Sequence, residues 1–456
     1  MSIAPPPGNH PPGRPTPGSP PTGGEDSRTL EGGLPLRILH RPGPAILAAR
    51  LAIPGGSGHD PAGARGAHQL LAGSMTRGCG ALDAEALADC VEGAGAALRV
   101  EAHEDGLVLA LKCAADDATT LVPLLLAMAR RPRLAADQVA IERQLNLQLL
   151  QRQKEDPFQL AHDQLRRLLY GDGPYGHDPL GIEAELAGLG PEELRPLVER
   201  LGSDGAVLVL CGDAPPELGE VLERELAVAP WSTRPPRLRP FDGPPPATGH
   251  HAQQVQDTEQ VVLMLGAATV PLAHPDALAL RLLQAHLGLG MSSRLFVTMR
   301  EERGLAYDVG VHLPAHSGAP PFVMHLSTSA ERVAEATTCL LDEWDRLLSE
   351  RLDESSRLLA LAKFQGQDAM GRQTCSQIAE RQALVLSHGL PADHVRRVLE
   401  RAPSLDAEDL RAAARRWLTT PSLSLVGPAP ALEQAHRAWL DHDLSRRPER
   451  APDPSR

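Results

Sequence analysis

A proline-dense stretch, "APWSTRPPRLRPFDGPPPATGHH" (229–251), divides the chain into two blocks that read in the same order. Prolines at that density fix φ and remove amide donors, so no helix or central strand continues through them, and the stretch is expected to be a linker. The first block, 31–228, opens on the alternating apolar residues of "ILAARLAIPGG", passes through helical segments to the strand pair "AALRVEAHEDGLVLALKC", continues in long helices and closes on "GAVLVLCGD". The second, 252–442, opens on "TEQVVLMLGAA", has helices at about 274–302, strands near "LAYDVGVHL" and "FVMHLST", long helices over 330–417, and closes on "SLSLVGP". The shared order predicts a duplicated α+β unit, each copy a mainly antiparallel sheet covered by helices on one face. Residues 1–30 and 443–456, rich in Pro, Gly and charge, are expected to be disordered tails.

Composition narrows the function classes. With 45 basic against 58 acidic residues and a net charge of −13, the chain lacks the basic footprint that a phosphate backbone selects. No apolar stretch is long enough to span a bilayer, and the first residues have neither the charged nor the apolar region of a secretory signal, so a cytoplasmic protein is expected. The six cysteines form no Cys-x-x-Cys pair and several sit in apolar runs, which fits small buried hydrophobes in a reducing compartment.

Three stretches together resemble the pitrilysin/insulinase family of zinc metallopeptidases, in its short-chain, mitochondrial-processing-peptidase-like branch: "LGLGMSSRLFVTMREERGLAYDVGV" (287–311), "YGDGPYGHDPLG" (170–181), and "RGAHQLLAGSMTRG" (65–78) preceded by "LAIPGGSGHDPAGARG". The resemblance covers about residues 33–442 and implies two peptidase-like domains forming half of a clamshell. Active relatives carry an inverted His-x-x-Glu-His motif on the first-domain helix, with two zinc-binding imidazoles on one face and a glutamate that activates water. Transferred to this chain, those positions fall on Gln69, Ala72 and Gly73, and the distal glutamate ligand falls on Leu149. An amide, a methyl group, a hydrogen and a hydrocarbon cannot bind zinc, so no metal is expected here. His68 is one position early, about 100° around the helix, and is expected to be a satisfied or surface histidine. Glu142 and Glu104 remain near family positions, but carboxylates without imidazoles suit harder cations than zinc.

The second-domain signature is kept. The resemblance assigns its functional arginine and tyrosine to Arg300 and Tyr307, donors suited to a substrate carbonyl and its developing oxyanion. "SSRLFVTMREER" reads as a helix capped at Ser292 or Ser293 and ended by Gly304, which puts Arg300 in its last turn and Tyr307 near the following strand. The plain alternative has Arg300 capping helix carbonyls or pairing with Glu301 or Glu302, and Tyr307 as a half-buried strand residue. "GLGMSS" (288–293) lacks the third glycine and the preceding strand of a dinucleotide fingerprint; by resemblance, Gly288 and Gly290 are candidates for peptide contact instead. The other histidines, among them His250, His251, His388 and His394, show no ligand spacing and are expected at the surface. The implied function is a non-catalytic subunit that binds peptide and lends Arg300 and Tyr307 to a partner of the same family, which carries the zinc. The alternative is a structural subunit with no part in proteolysis.

Overall fold

The computed structural model describes residues 24–41, 43–228, 231 and 251–446. The first half runs β1 (Glu25–Thr29), β2 (Pro35–His40), β3 (Ile46–Pro54), α1 (Ala67–Met75), α2 (Ala84–Gly93), β4 (Ala97–Ala102), β5 (Gly106–Ala114), α3 (Ala118–Arg130), α4 (Ala136–Gln153), α5 (Pro157–Tyr170), α6 (Glu183–Leu186), α7 (Pro191–Arg200), β6 (Val207–Gly212) and α8 (Leu218–Val228). The second runs β7 (His251–Val255), β8 (Gln260–Ala268), α9 (Ala277–Gly288), a π-helix (Phe296–Glu302), β9 (Asp308–His312), β10 (Pro321–Ser329), α10 (Val333–Ser349), α11 (Glu354–Met370), α12 (Cys375–Ser387), α13 (His394–Arg401), α14 (Ala407–Trp417), β11 (Ser422–Gly427) and α15 (Ala429–Asp441).

The sheets repeat one topology. The first is ordered β1-β2-β6-β3-β5-β4 and the second β7-β11-β8-β10-β9. Each has one parallel pair, β2 with β6 and β11 with β7, and is otherwise antiparallel. Apart from the extra edge strand β1, the two orders superpose strand for strand, so the duplication extends to the hydrogen-bonding pattern.

Strand periodicity shows how the halves are joined. Successive side chains point to opposite faces. On β3, Leu47, Ala49, Leu51 and Ile53 enter the first half's main core, while Ala48 and Ala52 enter a separate cluster with Ala379 and Ala383 of α12. On β8, Val261, Leu263 and Leu265 enter the second core, while Val262 and Met264 meet Ala161, Leu165 and Leu169 of α5. The halves therefore exchange a helix, each covering the far face of the other's sheet. This corrects the expectation of sheets covered on one face: α5, within the block 31–228, covers the second sheet. Ala48 and Ala52 of β3 meet Ala379 and Ala383 of α12, alanine against alanine; on β11, the buried Ser424 donates to the Ala161 carbonyl of α5 at 2.7 Å.

The expected first tail, 1–30, lies outside the described residues up to 23, but Glu25–Thr29 is a strand. It is exposed along its length and held by main-chain pairing with β2 and by an Arg37–Glu25 ion pair at 2.5 Å, which composition could not reveal. Leu444, in the expected second tail, is buried; residues 447–456 and most of the expected linker, including His250, lie outside the described residues.

Candidate functional site

α1 has the shape of a metal-bearing helix and none of the chemistry. Leu70, Leu71, Ala72 and Met75 are fully buried in the first core. Gln69 is half-buried. A Cβ at Gly73 would stand 2.5 Å from Oε2 of Glu142, so that carboxylate occupies the space a second imidazole would need. Glu142, buried on α4, is held by Arg77, whose Nε donates to its Oε1 at 2.5 Å. The position transferred from the distal glutamate, Leu149, is exposed on the same helix. His68 is buried, with Nδ1 2.7 Å from Asp60 Oδ1, and that carboxylate also accepts from the amides of Gly66 and His68. Burial raises the Asp60 carboxyl, but bonds from His177 and His68 outweigh it and hold it below its ordinary value. His68 therefore works as a strut at the entry to α1. These residues do not fit a zinc ion, and among the described residues no group of three or more His, Cys, Asp or Glu could hold a metal.

An expected result follows from the Arg77–Glu142 pair. Arg77→Met should cost about 2 kcal/mol by urea unfolding, because it leaves a largely buried carboxylate without its partner. Adding Glu142→Leu should restore most of the loss; an unaltered midpoint for Arg77→Met would show that the pair holds nothing.

The structure brings Arg300 and Tyr307 together. The residues after Ser293 wind into a helix whose last seven, Phe296–Glu302, are π-helical, a local widening that often accompanies functional positions. Leu305 closes it, its amide donating a hydrogen bond to the Met299 carbonyl at 2.6 Å, with Gly304 at a φ of 58° making the turn. Arg300, in the last turn, donates from Nη1 to the Tyr307 carbonyl at 3.3 Å and lies 5.0 Å over the Phe296 ring. Tyr307 is 64% exposed, so the half-buried alternative does not describe it. Both residues are exposed, and the Arg300 side chain reaches the Tyr307 main chain. Arg294 of the same signature is structural: its Nε and Nη2 grip the buried Glu343 of α10 at 2.8 and 2.7 Å. Gly288 has a packing reason as well, since a Cβ there would lie 2.8 Å from the Val311 amide of β9. Gly290 is in open space with a φ of 77°.

The 170–181 stretch clasps the two halves. Tyr170 donates to the Ala319 carbonyl at 2.9 Å. Tyr175 donates to Asp105 Oδ1 at 2.7 Å and accepts from the Gly318 amide at 2.8 Å, while Asp105 Oδ2 accepts from the Ser317 amide at 2.8 Å. His316 is buried with its ring 4.5 Å from Tyr175. Nearby, Glu104 pairs with Arg166 at 3.0 Å. Burial works to raise the Glu104 carboxyl, and Arg166 and His316 more than offset it. The expectation that the other histidines lie at the surface is thus corrected. His251 is exposed and stacks on His436 at 3.9 Å, and His388 and His394 are half-buried, but His316 is enclosed at the joint and His162 and His325 are half-buried close to it. Contact between distant segments buries them, and no local pattern announces it.

The comparisons with known proteins bear on the family and the fold. Residues 193–363 match the family model described as "Peptidase M16 inactive domain". The chain is 24% identical over 416 residues to an uncharacterized zinc protease of Streptomyces coelicolor, covering 88% of this chain and 89% of that one. It is 24% identical over 401 residues to an uncharacterized zinc protease of Mycobacterium tuberculosis, covering 86% and 90%. Among solved structures it resembles a peptidase M16 inactive domain from Pseudomonas fluorescens, at a TM-score of 0.81 and 22% identity over 89% of this chain and 98% of that one. It also resembles a chain of Complex III2 from Candida albicans, at 0.76 and 14% over 91% and 99%. Among the described residues no helix is long and apolar enough to cross a membrane.

Proposed function

We propose that this chain, whose residues 193–363 match the peptidase M16 inactive domain and whose relatives are named zinc proteases, serves as the non-catalytic subunit of a two-chain zinc peptidase. One observation carries the reading. The metal positions hold Gln69, Ala72 and Gly73, with Glu142 filling the space beside Gly73, while Arg300 and Tyr307 are both exposed and joined by a bond from the Arg300 guanidinium to the Tyr307 carbonyl. Loss of one functional set with retention of the other is what division of labour between two chains produces. A zinc-bearing partner of the same family would supply the activated water. The Arg300 guanidinium and the Tyr307 phenol then donate to the scissile carbonyl, orient the peptide and stabilise the oxyanion. Gly290, open and without a side chain, leaves room for a peptide main chain to pass, and Gly288 lies in the same turn.

The test is reconstitution. Co-expression with a zinc-bearing relative from the same genome should give a complex that cleaves peptides faster than either chain alone, while the isolated chain carries background zinc. A partner that is fully active by itself, and no faster with this chain added, would overturn the proposal. The second reading, a structural subunit, is favoured by the likeness to a chain of Complex III2 over 99% of that chain's length. It predicts a stable assembly whose partner need not bear zinc.

A further inference from the structure

The duplication gives the second half a counterpart of the α1–α4 helix pair. α9 follows β8 as α1 follows β3, and α11 packs along α9 as α4 packs along α1. Beside α9 and α11, closed by residues of β9, α12 and α13, lies a cavity of about 830 Å³. That size falls within the range of small-molecule sites, roughly 300–1,000 Å³. Its walls are apolar through Leu278, Val311, Phe364, Val385 and Val398.

The charges on those walls do not balance. Asp368 is the carboxylate, and it is already held by Arg372 at 2.5 Å and Arg381 at 2.7 Å. Arg397 is held by Asp393 at 2.8 Å. Arg281, on α9, donates only to the carbonyls of Leu313 and Pro314, at 2.8 and 3.1 Å, and among the described residues no carboxylate pairs with it. The Arg401 side chain likewise has no partner among them. One enclosed guanidinium, Arg281, and one exposed, Arg401, therefore line the cavity, and among the described residues no free carboxylate faces them. An arginine enclosed without an anion, as Arg281 is, is costly, and its planar fork matches a carboxylate bidentately. Burial pushes the Arg281 guanidinium down to about 10, which leaves it charged at neutral pH.

We propose that this cavity binds a long-chain carboxylate of the fatty-acid class, its head group on Arg281 and Arg401 and its tail along Leu278, Val311, Phe364 and Val398. Free phosphate would leave the apolar walls unused, and a neutral apolar molecule would leave the guanidinia unpaired. The site lies where the second half repeats the helix pair of the first half's lost metal site, and it has the opposite preference in charge.

The experiment is calorimetric titration of the isolated full chain with dodecanoate, which needs no partner and so stands or falls apart from the subunit reading. Dodecanoate should bind one to one, with dodecanol and dodecyltrimethylammonium weaker by about tenfold or more. Arg281→Met should weaken dodecanoate about tenfold. Because Arg281 also supports the 313–314 loop, two variants that leave it in place complete the test. Val398→Trp should abolish binding by filling the cavity, and Arg401→Gln should weaken it about threefold. Dodecanol binding as tightly as dodecanoate, undiminished binding in Val398→Trp, or no dodecanoate binding up to about 1 mM would each overturn the proposal. So would a short peptide with a free apolar C-terminus that outcompetes dodecanoate.

Discussion

Arg300→Ala combined with Tyr307→Phe is expected to lower kcat of the reconstituted peptidase by about 100- to 1,000-fold, with the thermal midpoint of this chain unchanged. The size follows from what a donor aimed at a developing oxyanion contributes, roughly two to three orders of magnitude for one donor. Donors that act as a unit do not add, so the double change should cost little more than the worse single one. The absence of a stability effect follows from position. Tyr307 is 64% exposed, and the Arg300 side chain makes one hydrogen bond, at 3.3 Å to a carbonyl at the end of a turn that Leu305 and Gly304 already close. Arg300→Lys keeps the charge but loses the planar fork, and should recover only part of the rate. A fall confined to kcat places the pair on the transition state; a rise confined to KM restricts it to holding the peptide. If neither moves in an active complex, the two residues have no part in the chemistry, and the structural-subunit reading gains.

Much of this was legible in the sequence, for physical reasons that differ by residue. The strand–helix order of each half could be read because period-two and period-3.6 patterns are local, and those patterns also located the repeat. The want of zinc-binding chemistry on α1 was legible because ligand chemistry belongs to residue identity: no fold makes Ala72 or Gly73 a zinc ligand. Partnership between distant segments was not legible. The apolar stripe of α5 announces a buried face but not that the face lies on the second sheet, and α12 is the same case in reverse. Glu142 looked like a leftover acid near a family position; only the fold sets it against Gly73 and under Arg77, 65 residues away. The expected ordinary helix before Gly304 is π-helical in its last seven residues, a widening with no reliable signature in residue type. The histidines at the joint were misplaced for the same reason as α5. They bring a stability property that composition could not supply.

That property is acid lability at a mild pH. Between pH 7 and pH 5 the chain is expected to lose about 3 kcal/mol of unfolding free energy. Burial, with Arg166 and His312 adding to it against Glu104, pushes His162 on α5 down to about 3. Burial, with Arg294 and Lys363 adding to it, pushes His286 on α9 down to about 4. A histidine depressed in the fold is protonated first in the unfolded chain, so its contribution is complete above the unfolded value near 6.5 and drains away as pH falls toward the folded value. Two units below pH 7, that is about 2 kcal/mol for each of the two. Asp163 works the other way. Burial and then Asp178 raise its carboxyl to about 6, so the folded chain takes up that proton first and regains about 1 kcal/mol over the same window. His312, pushed down to about 4 first by burial but exposed and so partly screened by water, acts in the direction of His162, as do His316 and His325, also depressed first by burial. Asp60 and Glu104, both held below their ordinary values, lose their contributions only in more acid solution. Urea unfolding at the two pH values reads the difference directly. With His162→Gln and His286→Gln together the loss should shrink by more than half, leaving what His312, His316 and His325 lose against what Asp163 regains. Equal midpoints at pH 7 and pH 5 in the unaltered chain would mean that the joint between the halves admits water, and that its histidines titrate as they do in the unfolded chain.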